Sequence, residues 1–287
     1  MHLLFLLALP LLLCLVLMLN TIIRRYLRNK QQQLGLLWLS QCQPMLSDLQ
    51  KHRGLSHGFL SGGKELLLEL QLLHAKVQQH IETINATGEW ITQDEQWLSI
   101  QQHWRKLSTG FRYNTVDNNL AQHNLLIKNL LSMINNLAEH HQLLLLAINE
   151  TTPLHITWRD LLQIAETIGQ ARAIGTGVAA SRQCLDTDKI KLNLLCQRIT
   201  QYTQEIHGEL TDINEAREQI EILLFCINQQ IIQDNVSIDA QQFFNIATEA
   251  MDGLYEDYQT LIKTMLKKAQ SHNSLQFTLS AKRLIAQ

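Results

Sequence analysis

Two arginines sit in matching surroundings of glycine, alanine and hydroxyl residues. Arg53 lies in "LQKHRGLSHGFLSGGKE", beside Gly54 and followed by Ser56, Gly58 and the Gly62-Gly63 pair. Arg172 lies in "AETIGQARAIGTGVAAS", among Gly169, Ala171, Ala173, Gly175, Thr176 and Gly177. A glycine inside a helix costs roughly 0.5–1 kcal/mol relative to alanine, so some gain must offset that loss. Small residues four apart (Gly54 and Gly58, Ala171 and Gly175, Ala173 and Gly177) share a helix face and allow a second helix to come close. Ser56 falls three residues after Arg53 and Thr176 four after Arg172, which puts a hydroxyl one turn from each guanidinium. One reading is that each arginine pairs with an acidic neighbour or reaches solvent, and the glycines serve packing alone. The other is that two guanidiniums meet between helices and repel unless an anion joins them. Guanidinium is planar and forked, and it matches a flat oxyanion with bidentate hydrogen bonds. The same pattern occurring in each half of the chain favours the second reading.

Other chemistry finds little support. The "GGK" at Gly62 to Lys64 lacks the spacing of a phosphate-wrapping GxxxxGK[ST] loop. Glu139-His140-His141 is not HExxH, which would set two imidazoles on one helical face. The 12 histidines are dispersed, and His52, His57, His74, His80, His103 and His123 are expected on solvated polar helix faces. No Ser-His-Asp grouping emerges, so no catalytic residue, metal ligand or cofactor is expected. The five cysteines (Cys14, Cys42, Cys184, Cys196, Cys226) include no CxxC pair and predict free thiols in a reducing compartment. The sequons at Asn85, Asn149 and Asn235 read as chance matches in an asparagine-rich chain.

The elements that must position the arginines are helices. Three prolines and 12 glycines among 287 residues leave little punctuation for strands, and leucine, glutamine, alanine and isoleucine dominate. The formal net charge is −2 with no long basic stripe, which excludes a dedicated nucleic-acid binder. The uncharged run "LLFLLALPLLLCLVLMLNTII", Leu3 to Ile23, has 21 residues. At about 1.5 Å per residue it would just cross a bilayer core. Arg24, Arg25, Arg28 and Lys30 follow it, so residues after 24 are expected on the cytoplasmic side.

Helical periodicity then predicts segments from about Gln31 to Leu60, Lys64 to Asn85, a third around Trp90, Trp97 and Trp104, and Val116 to Ile148. Further segments are expected from about Leu154 to Ser181, from Asp186 into the 200s, from Thr211 to Ile232, and from a Ser237 or Asp239 cap to Ala269. The predicted architecture is all-α: an N-terminal transmembrane helix and about eight helices forming two stacked antiparallel bundles. Its divisions are a 1–23 anchor, a 24–36 basic juxtamembrane segment, a 37–270 helical domain and a 271–287 weakly patterned tail.

"HRGLSHGFLSGG" and "IGQARAIGTGVAA" resemble the paired motifs of the nitrate- and nitrite-sensing family. "SIDAQQFFNIATEAMDGLYEDY", Ser237 to Tyr258, is similar to that family's closing helix, with its aromatic pair and Thr-x-Ala stretch. The resemblance covers about residues 40–265. It implies an all-helical, non-enzymatic sensor that binds nitrate or nitrite between helices through Arg53 and Arg172. Gly54, Ser56, Gly175 and Thr176 join them as flanking candidates from the spacing argument. His52 departs from the acidic residue that often precedes the first arginine. Family members usually carry an output module, and none is expected after the last sensor helix here. Signalling would then pass through an unidentified partner protein or self-association, with a homodimer as the default. The expected location is a bacterial-type inner membrane, single-pass, with the sensor in the cytoplasm. The alternative is a helical scaffold or adaptor that keeps the fold without binding the anion.

Overall fold

A computed structural model of the chain describes the backbone of residues 2–60, 62, 64–146, 159–207 and 214–285; side chains at 2–9, 11, 65, 205–207, 214–215 and 271–285 are not described. The path begins with α1, His2–Leu60, unbroken through Pro10 and Pro44. Pro44 has no N–H for the carbonyl of Ser40. The amide of Gln259 takes that place, donating to Ser40 O at 3.0 Å and to Gln43 Oε1 at 2.7 Å. Tyr258 adds a hydroxyl bond to Leu39 O at 3.0 Å. The buried stripe of α1 runs through Leu36, Trp38, Leu39, Cys42, Met45, Leu46 and Leu49, the helical spacing of one core-facing side.

Next come α2 (Leu67–Ala86), α3 (Glu89–Gln93), α4 (Glu95–Gly110) and α5 (Val116–His140). Gly62 opens the turn before α2 with φ of 121°. The tryptophans spaced by seven predicted one helix, but Asp94 ends α3 and caps α4 by accepting from Trp97 N at 2.8 Å. Trp97 and Trp104 are buried as expected, and the Trp97 indole donates to Asn85. Thr115 caps α5 in the same way. That helix stops at His140, short of the expected Ile148, because Gln142 turns left-handed and a 3-10 turn follows at Leu143–Leu145.

The second half contains α6 (Leu161–Ser181), α7 (Asp186–His207), α8 (Asn214–Cys226) with a π-turn at Ile227–Ile231, and α9 (Ala240–Ile285). The expected helix starts near Leu154 and Thr211 fall outside the described residues. Asp239 caps α9 through Gln241 N and Gln242 N, and the helix runs past the expected end at Ala269. Among the described residues there are nine α-helices and no strand. α1, α2, α4 and α5 pack as one bundle and α6 to α9 as another, and α1 touches both α6 and α9. One apolar core runs through both groups.

Among the described residues, no helix is long and apolar enough to cross a membrane. The run expected to do so lies partly outside the described side chains, at 3–9 and 11. From Leu12 to Ile23 its large apolar side chains are about half exposed.

Five of six histidines expected on solvated faces belong to a different environment or make specific contacts. His52 and His123 are fully buried. Each histidine provides what the next one needs: His52 Nδ1 meets His123 Nε2 at 2.7 Å, and His52 Nε2 meets His74 Nε2 at 2.7 Å. His123 Nδ1 lies 2.7 Å from Asn119 O, so it carries the proton there. Three imidazoles bonded in series through His52 can be buried without a charge, which polarity counted along one helix does not reveal. His80 pairs with Asp48 at 3.0 Å, and His103 meets Gln122 at 2.9 Å.

Candidate functional site

The two arginines come from α1 and α6 and meet where those helices pack against α9. Arg53 is 1% exposed and grips Glu166 end-on, with Nη1 donating to Oε1 at 2.6 Å and Nη2 to Oε2 at 3.2 Å. The second Nη1 proton goes to Asn124 Oδ1 at 2.8 Å. Glu166 also accepts from Gln170 at Oε1 and from Gln50 at Oε2, both at 2.8 Å. The Tyr255 hydroxyl donates to Gln50 Oε1, which fixes the amide with its NH2 toward the carboxylate. Burial, reinforced by Glu166, pushes the Tyr255 phenol up from its ordinary range, so it stays a donor. The pairing of Arg53 with an acid, one of the two sequence readings, is therefore present.

Arg172 is different. It is 6% exposed, and its hydrogen bond goes to a neutral hydroxyl, Nη1 to Thr248 Oγ1 at 2.9 Å. Its guanidinium lies over the Phe244 ring, 4.7 Å from the centroid. Among the described residues it forms no salt bridge. Burial first, and then the positive charge of Arg53, pull its pKa down to about 10, so it remains charged at neutral pH. A buried cation without a paired anion carries an uncompensated desolvation cost of several kcal/mol. The carboxylates of Asp252, which is exposed, and of Glu166, which is bonded to Arg53, temper this without a salt bridge to Arg172 among the described residues.

The glycines make room chiefly for side chains rather than for a second backbone. A Cβ on Gly169 would stand 2.9 Å from Arg53 Nη2, and one on Gly175 only 2.3 Å from the Phe243 ring. Gly54 faces Phe244, the ring that carries Arg172, at van der Waals distance. Gly177 meets open space, so the Ala173 and Gly177 pair has no packing role. Close backbone approach does occur, at Gly253 of α9 against Ala216 of α8, within the closing-helix motif but without a small-residue pattern of the kind seen around the arginines.

The two hydroxyls part company. Ser56 Oγ donates to Arg53 O and accepts from Asn119, toward α5 and the histidines. Thr176 Oγ1, one turn beyond Arg172, is buried without a hydrogen-bond partner among the described residues. Glu166, Gln50, Asn124, Gln170 and Tyr255 were missed by sequence reasoning. A carboxylate within the apolar stretch "LLQIAETIG" was a usable signal for Glu166. Phe244 and Thr248 fall in the closing-helix motif that was noticed but given no role. Among the described residues, no group of three or more His, Cys, Asp or Glu could hold a metal ion.

Comparison with known proteins follows the same lines. Among solved structures the fold is similar to that of the NasR transcription antiterminator, with a TM-score of 0.69 over 90% of this chain and 74% of that one. At 17% identity that likeness concerns the fold alone. No curated protein matches. A family model described as nitrate and nitrite sensing matches residues 44–266, which include both arginines, Glu166 and the α9 residues around them. The chain therefore belongs to the nitrate- and nitrite-sensing family.

Proposed function

We propose that this protein is a membrane-anchored, non-enzymatic sensor that binds nitrate or nitrite between α1, α6 and α9 and signals through a partner protein or self-association. The observation that carries this reading is Arg172: a buried guanidinium whose partners are a neutral hydroxyl and an aromatic face. Arg53 and Arg172 outnumber the enclosed carboxylate of Glu166, leaving one surplus positive charge for a monovalent anion. Several charge-assisted hydrogen bonds of about 1.5–3 kcal/mol each, less desolvation and ordering costs, suit binding at roughly micromolar to millimolar concentrations. Thr176, with its unsatisfied hydroxyl, is a further donor for an oxyanion. Gly54 and Gly175 act indirectly, by seating Phe244 and Phe243.

The anchor rests on the apolar N-terminal portion of α1, with Arg24, Arg25, Arg28 and Lys30 keeping the sensor on the cytoplasmic side of a bacterial-type inner membrane. The Arg53–Glu166 pair favours a second reading, an adaptor that has satisfied its own arginine and no longer takes an anion. Thermal unfolding of the purified full chain in detergent separates the two. A ligand that binds only the folded state adds RT ln(1 + [L]/Kd) to stability. Nitrate or nitrite should raise Tm where chloride and sulfate at matched ionic strength do not, and Arg172→Gln should abolish the rise. Equal responses to all four anions would leave the adaptor.

A further inference from the structure

We propose that Glu166 is the specificity-determining residue of the anion site: a tethered carboxylate that competes with the ligand for Arg53 and limits the site to a single negative charge. This rests on the reading of Arg53 and Arg172 as hosts of an anion.

Every lone-pair direction of Glu166 is in use. Oε1 accepts from Arg53 and Gln170, Oε2 from Arg53 and Gln50, and the side chain is 4% exposed. Its donors lie on α1 and on α6 itself, and Tyr255 of α9 orients one of them. A carboxylate is itself a flat oxyanion with two oxygens, so Glu166 occupies the Nη1/Nη2 end of Arg53 as a ligand would. The Nε/Nη2 edge of Arg53, made of Nε–H and the second Nη2 proton, forms no hydrogen bond among the described residues. That edge and the unused donors of Arg172 are what an incoming anion meets first.

Charge then selects among anions. Two enclosed guanidiniums and one enclosed carboxylate give a surplus of one. A monovalent anion cancels it, whereas a divalent anion would leave a net negative charge in a site shielded from water, where an unmatched charge is strongly disfavoured. Asp252, the other carboxylate that acts on Arg172, is exposed and is screened by solvent. Removing the charge of Glu166 raises the surplus to two and should admit a divalent oxyanion.

The test uses the full chain in detergent, titrated with nitrate and with sulfate at matched ionic strength, reading Tm and calorimetric Kd. Wild type should bind nitrate with sulfate excluded. Glu166→Gln, nearly isosteric, should bind sulfate at least tenfold more tightly than wild type does and reduce the nitrate-to-sulfate affinity ratio at least tenfold. Glu166→Asp keeps the charge but draws the carboxylate back from Arg53, so nitrate should bind more tightly while sulfate stays excluded. Circular dichroism checks that each variant is folded; if Glu166→Gln is not, Glu166→Asp decides the competition alone. A wild type that prefers nitrate, with variants that keep its affinities and ratio, would overturn the role of Glu166 and leave the sensor intact. A wild type that responds to neither nitrate nor nitrite would overturn the underlying reading together with this one.

Discussion

Gly175 and Gly177 are two residues apart in one helix and should respond oppositely to the same substitution. A methyl on Gly175 would enter the space of the fully buried Phe243 ring, and overpacking of that kind costs about 1–3 kcal/mol. A methyl on Gly177 meets nothing, so Gly177→Ala should stabilise by roughly 0.5–1 kcal/mol through helix propensity. Urea unfolding of the two variants checks the pair; equal effects would mean that Phe243 is not held against α6. The sequence showed both arginines and their small neighbours because those are local patterns. It could not show that Glu166 reaches Arg53, since that partnership crosses 113 positions and depends on how α1 and α6 pack. Nor could spacing distinguish Ser56, which turns to Asn119, from Thr176, whose hydroxyl is buried without a partner among the described residues.

The histidine chain joins three elements: His52 of α1, His74 of α2 and His123 of α5. Trp104 and Phe111 present their edges to His52 and His74, so the chain is enclosed by aromatic rings. Burial lowers the pKa of all three, with like charge adding to it: His123 and His74 act on His52, Arg112 acts on His74, and Arg53 and His103 act on His123. His123 falls to about 4 despite its bond to Asn119 O. A base whose folded pKa lies below its unfolded value binds fewer protons when folded. Stability is therefore full above the unfolded value of 6.5 and declines as pH falls toward 4. From His123 alone the loss between pH 7 and pH 5 is about 2 kcal/mol. Urea unfolding at those two pH values should show it, and His123→Gln should shrink the difference. A flat profile in wild type would mean that the imidazoles are solvated. Helix propensity and periodicity made most elements legible, and Asp239 was one of two residues expected to cap α9. They failed where burial depended on partners from other helices, as in this chain, or where a single residue such as Asp94 divided a regular pattern.

Over the whole molecule, α1 and α9 bind the halves together, and the arginines lie where those halves meet. The anchoring proposed above predicts that the full chain stays with membranes through alkaline carbonate and is released by detergent. Release by carbonate would mean that the exposed leucines from Leu12 onward have another partner. Pro44 bears on how such a molecule transmits force. A proline inside a long helix is ordinarily a compliant joint, because the backbone bond that would resist bending is missing. In α1 that joint lies between the apolar N-terminal segment and Arg53, and Gln259 of α9 bridges the gap at Ser40. Thr248, which holds Arg172, is on the same helix as Gln259. A sliding of α9 by a fraction of a turn would therefore do two things at once: it would disturb the grip on Arg172, and it would unlock the joint, changing α1 from a stiff shaft into a flexible coupling between the anion site and its N-terminal end.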